Sequence, residues 1–151
     1  MANWRDQWDR LNRTYSLVQL SSTGYRKDRR NSDYYRDELF AFFETCLHMR
    51  DWLWNDPTVG LTREDAGKLY NAHDCLKLAH DIAIGSKHVV IEKPRVDPRA
   101  RLVGQDVRVF VGAGASFAWR IEADGKVQDG YGLATECLQA WESILKQQKL
   151  L

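Results

Sequence analysis

Histidine is the side chain best suited to proton transfer near neutral pH, and the sequence holds 4 among 151 residues. His48 lies three residues before Asp51 and one helical turn after Glu44, so a helix would set all three on one side. A histidine beside a carboxylate is a usable general base or a donor to phosphate. His88 closes the run Gly85-Ser86-Lys87-His88, which follows an apolar helical stretch. A Gly-Ser turn exposes backbone N–H groups, and Lys87 with His88 would add charge there. The run lacks the glycine spacing and the Lys-Ser/Thr pair of a phosphate-binding loop. Two further histidines occur as His73-Asp74 and His80-Asp81, seven residues apart and so on one helix face. Lys77 lies between these doublets and can pair with Asp74 and Asp81, as on a solvated face.

The elements that must carry these residues are legible from apolar spacing. Trp4, Trp8, Leu11, Tyr15 and Val18 recur at helical intervals and predict an amphipathic first helix. Ser32 or Asp33 can cap a second helix. It runs to about Trp54, and its apolar stripe (Leu39, Phe40, Phe42, Phe43, Cys46, Leu47, Leu53) is wide enough for a central position. Pro57 ends it. Thr62 caps a third helix with Leu69, Ala72, Leu76, Ala79 and Ala83 as its buried stripe, stopped at Gly85-Ser86. His88–Ile91 reads as a short strand, and Pro94 and Pro98 bracket a loop. Val107, Val109 and Val111 alternate on one strand face, and Phe117, Trp119 and Ile121 on the next. Asp124-Gly125 marks a tight turn. Leu133, Cys137, Leu138, Trp141 and Leu145 predict a terminal helix. The expectation is an α+β fold, mainly α. A four-helix bundle forms one domain over residues 1–151, with a small antiparallel hairpin or sheet at about 87–128 before the last helix.

Composition narrows the function classes. Net charge is +1, from 22 basic and 21 acidic side chains, so the chain as a whole carries no strong field for polyanions. The basic residues are instead concentrated in two runs, Arg26, Lys27, Arg29, Arg30 and Lys93, Arg95, Arg99, Arg101. Each reads as a solvated loop that could also hold phosphate. Three cysteines without a C-x-x-C pair indicate free thiols in a reducing compartment rather than a zinc knuckle. The polar N-terminus is unlike a signal peptide, and no apolar run is long enough to span a bilayer. A cytoplasmic protein with no cofactor and no membrane partner is expected.

Several stretches resemble known families. Tyr35–Phe43 leading into Leu47-His48-Met49-Arg50-Asp51-Trp52-Leu53, then Cys75, Ile82–His88 and Trp141, resemble an uncharacterised family of small bacterial and phage-associated proteins with an HLxDW…LANGSKH pattern. Ile84 stands where that pattern has Asn. The helical layout is loosely similar to the HEPN superfamily, whose active members are metal-independent RNases of toxin–antitoxin and phage-defence systems. Their R-x4–6-H mark is absent, and Lys68 before His73 is a poor substitute because lysine lacks the guanidinium fork. The stretch Leu78–Ile82 (LAHDI) also resembles a helix motif of HD-type metal phosphohydrolases.

These readings imply three functions. The leading one is a HEPN-like module that binds or acts on RNA, or binds a protein partner, with His48, Asp51, Lys87 and His88 as its catalytic set. The second is a non-catalytic interaction module that forms a homodimer through exposed Trp and Tyr. The third is a metal phosphohydrolase using His48, His73 and Asp74.

Overall fold

A computed structural model describes residues 2–28, 30–86 and 100–151. The strand expected at His88–Ile91, the proline-bracketed loop, Lys87 and His88 lie outside the described residues. Within them are five helices and a three-stranded antiparallel sheet in the order α1–α4, β1–β3, α5.

Helix α1 (Trp4–Thr23) begins at a reciprocal cap. The Asn3 side chain accepts from the Arg5 N–H (2.8 Å), and Asp6 accepts from the Asn3 N–H (2.8 Å). Its buried stripe is Trp4, Leu11 and Val18. Helix α2 (Ser32–Asn55) starts one residue before expectation, with Asn31 as the cap accepting from the Tyr34 N–H. It buries Leu39, Phe42, Phe43, Cys46, Met49 and Leu53, and α1, α3, α4 and α5 all pack on it, as its wide stripe predicts.

The single third helix expected from sequence is two. Helix α3 (Arg63–Asn71) ends at Ala72, and His73 turns to extended backbone before α4 (Asp74–Gly85). The reason lies in phase. Ala66 and Tyr70 form one buried row, and Leu76, Ala79 and Ala83 another. Tyr70 and Leu76 are six residues apart, which on a continuous helix puts them about 120° apart around the axis. The break lets both rows face the core, and it leaves Ala72, expected inside, exposed.

Strands β1 (Arg101–Phe110) and β2 (Gly114–Ala123) pair from Arg101↔Glu122 to Phe110↔Gly114, with an irregularity between Leu102 and Gly104. Asp124 and Gly125, both with positive φ (51° and 68°), make the tight turn to β3 (Lys126–Asp129). Phe117, Trp119 and Ile121, expected on one strand face, all lie on β2 and are buried. The Trp119 indole donates to Gln105 Oε1 (2.7 Å), and Gln105 donates to the Ser32 carbonyl (2.9 Å), tying the sheet to the start of α2. The facing row is different: Val107, Val109 and Val111, expected on one strand face, are all exposed, and Val111 lies just past the end of β1.

Helix α5 (Gly130–Gln147) packs back on α1, α2 and α4, and its Trp141 indole donates to the Cys46 carbonyl (3.0 Å). Cys46 and Cys137 are buried and Cys75 half-buried, all as free thiols. The basic run after α1 also differs from a simple solvated loop. Arg26 is buried, and its backbone exchanges two hydrogen bonds with Ala115 (2.7 and 2.9 Å). A side chain at the neighbouring Gly114, whose φ is +110°, would run into the Arg26 carbonyl.

Candidate functional site

The expected catalytic set is only partly placed. His48 is half-buried on α2. The Ser86 hydroxyl donates to Glu44 (2.9 Å), so the end of α4 meets α2 one turn from His48. Lys87 and His88 fall outside the described residues, and their relation to His48 is not part of this description. Asp51 is engaged by its neighbour, the Arg50 guanidinium (3.0 and 3.1 Å). It borders a cavity of about 560 Å³ near the start of α1, with Asn3, Trp52 and Asp56, whose described lining does not include His48.

The alternative metal set is not assembled. Asp74 is 92% exposed and pairs with Lys77 (2.6 Å). His73 is the residue where the chain turns between α3 and α4. No group of three or more His, Cys, Asp or Glu side chains among the described residues is positioned to hold a metal. The Lys77–Asp74 pair matches expectation, but Asp81 has no ion pair to Lys77: it is fully buried and takes His80 instead.

What the fold does bring together is a polar cleft of about 530 Å³ between α2, α3 and α4. Arg50 of α2, Arg63, Glu64, Gly67 and Asn71 of α3, and His80 of α4 line it. Each arginine rests on a ring. Arg50 Cζ lies 5.6 Å from the Tyr70 ring centroid, and Arg63 Cζ 5.9 Å from that of Trp54. Such stacking holds a guanidinium without consuming its N–H donors. Arg50 is shared with Asp51, whereas Arg63 has no ion pair among the described residues. Glu64 is turned to Lys68 (2.7 Å).

His80 is 13% exposed, and its Nδ1 lies 3.1 Å from Oδ1 of Asp81, which is at 0%. The carboxylate assigns the proton to Nδ1 and fixes the ring, leaving Nε2 for the cleft. Chemically, the cleft can bind an oxyanion through two guanidinium groups and exchange a proton with it through an oriented imidazole.

Gly67 adds an independent sign. It sits inside a nine-residue helix, where glycine costs about 0.5–1 kcal/mol relative to alanine. A Cβ built there meets nothing within 4 Å, so packing does not demand glycine. Gly67→Ala is therefore expected to stabilise the protein by about 0.5–1 kcal/mol while placing a methyl group on the cleft. Thermal melts would show the gain, and ligand titrations the weaker binding.

The chain alone did not single out Arg50, Arg63 or Asn71 because they lie on separate elements. Gly67 at mid-helix was the readable signal. Comparison with family models, with curated proteins and with solved structures finds no match for this chain.

Proposed function

We propose that the chain is a HEPN-like helical module that binds RNA in the α2–α3–α4 cleft and acts on its phosphodiester through His80. One observation carries this reading: two ring-supported arginines and an aspartate-backed histidine line the same cleft. The R-x4–6-H spacing is absent, and this reading takes its arginine from α2 (Arg50) and its histidine from α4 (His80) instead.

The chemistry follows from the groups. Guanidinium forks match phosphate oxygens and stabilise charge that builds on them during displacement. RNA carries its own nucleophile in the 2′-hydroxyl beside each phosphate, and activation needs a base within reach. His80 Nε2 takes that proton as the 2′-oxygen bonds to phosphorus; the bond to the 5′-oxygen breaks, leaving a 2′,3′-cyclic phosphate, the 5′-oxygen takes a proton from water, and the imidazolium, stabilised by Asp81, returns its proton to solvent.

The test measures binding and cleavage of a single-stranded RNA, and of the DNA of the same sequence, by the wild type and by Arg50→Ala, Arg63→Ala and His80→Ala. Both arginine variants are expected to weaken binding and to reduce the slope of log affinity against log salt by about 0.7 per lost phosphate contact. His80→Ala is expected to bind RNA and not cleave it. The DNA should bind uncleaved. Unaltered affinity and salt slope in both arginine variants would remove the cleft from RNA binding.

A further inference from the structure

The β1–β2 hairpin breaks its own pattern at the far end. Val107, Val109 and Val111 alternate as a face meant for burial, yet exposure rises from 44% at Val107 to 76% at Val109 and 103% at Val111. Phe110 beside them is 40% exposed and sits edge-on to the half-exposed Tyr25 ring, 4.9 Å between centroids. Large aliphatic side chains displayed at a protruding tip signal a partner rather than a folding need.

The surroundings of the tip are basic. No carboxylate occurs from Val107 to Ile121. The Arg26–Ala115 bridge fixes the loop after α1 against the hairpin, so that Lys27 and Arg30 line a cleft of about 480 Å³ with Val107, Val109, Tyr35 and Phe117. Arg108 is exposed on the alternate strand face. Lys27, Arg30 and Arg108 have no ion pair among the described residues, whereas Arg26 is already neutralised by Glu38 and Asp28.

We propose that this end of the molecule docks on an anionic lipid surface. Val109, Phe110 and Val111 enter the interface, and Lys27, Arg30 and Arg108 meet the headgroup phosphates. Two features favour lipid over other anionic partners. The most exposed apolar groups are aliphatic, whereas nucleic-acid bases stack on rings. A second copy would bring two basic collars together. The contact is peripheral, since no helix among the described residues is long and apolar enough to cross a membrane. It combines the two weak signals, apolar insertion and basic charge, that reversible membrane binding requires. It departs from the expectation of no membrane partner, which rested on the absence of a spanning segment.

The experiment is sedimentation with vesicles of phosphatidylcholine alone and with one third phosphatidylglycerol. The wild type is expected to pellet with the anionic vesicles and to be released by salt. Val109→Asp/Val111→Asp and Lys27→Glu/Arg30→Glu, both at solvent-exposed positions, are each expected to lower partitioning at least about tenfold while circular dichroism stays unchanged. Val111→Trp should shift its emission to the blue on anionic vesicles only. His80→Ala, at the separate helical cleft, should pellet as the wild type does. Three results would overturn the proposal: no pelleting by the wild type, wild-type pelleting by the Val109/Val111 double variant, or vesicle-free protein that binds an oligonucleotide through Lys27 and Arg30.

Discussion

Arg26→Met is expected to destabilise the protein by about 3–5 kcal/mol, the cost of leaving a buried charge without its partner. The guanidinium joins three parts of the fold, α1, the loop after it and α2. It donates to Glu38 (2.6 and 3.1 Å), Ser21 (2.8 Å) and Asp28 (2.7 Å), and lies 4.8 Å from the Tyr35 ring centroid. Glu38 is only 10% exposed, so its carboxylate would lose its main compensation. At about 2–4 °C per kcal/mol for a chain of this size, the melting temperature should fall by roughly 10 °C. Urea denaturation at neutral pH measures the loss directly. Arg26→Met/Glu38→Leu should recover much of it, because an apolar pair of similar volume can replace a buried ion pair at little cost. A double variant as unstable as the single one would show that Arg26 acts through packing alone.

Acid should attack the same region and the start of α1. The Tyr35 hydroxyl, and next Arg26, hold the Asp28 carboxyl below its usual range. The Thr58 hydroxyl, and next the Trp4 N–H, do so for Asp56. Both pKa values are lowered by folding. Their contribution is therefore complete above the ordinary aspartate value of 3.8 and is lost as the pH falls below it.

The second large effect concerns catalysis. Asp81→Asn is expected to slow RNA cleavage by about 10²–10⁴ while leaving RNA affinity unchanged. The amide keeps the shape of a fully buried side chain but removes the charge that fixes the His80 tautomer and stabilises its imidazolium. Asp81 touches no substrate in this scheme: it positions His80. A readout separates that role from simple destabilisation. Wild-type RNA affinity and an unchanged circular dichroism spectrum beside the lost cleavage are what a merely destabilised variant would not give. Wild-type cleavage by Asp81→Asn, or no cleavage by the wild type, would take the acid–base role from His80.

Much of the fold was legible because it depends on local periodicity. The Trp4–Val18 stripe, the Leu39–Leu53 stripe and the Asp124-Gly125 turn each declare their element within a few residues. Features that depend on chain neighbours far away were not legible. Arg26 looks like any residue of a basic loop until Glu38 and Ala115 close on it. The alternation at Val107, Val109 and Val111 records a strand face but not whether helices reach it. His80 and Asp81 were visible as a doublet, but their split into a cleft-lining ring and a buried carboxylate follows from how α4 sits on α2. Arg50 and Arg63 become one site only through that packing.

The interruption at Ala72-His73 has a mechanical corollary. Each residue in an α-helix advances it by about 100°, and the extended backbone at His73 releases α4 from the phase that α3 would impose on it. Continuing α3 as helix through this joint would swing the imidazole of His80 away from the arginines and drive a different part of α4 into the core. The aim of His80 is thus a property of the break as much as of any side chain it contacts.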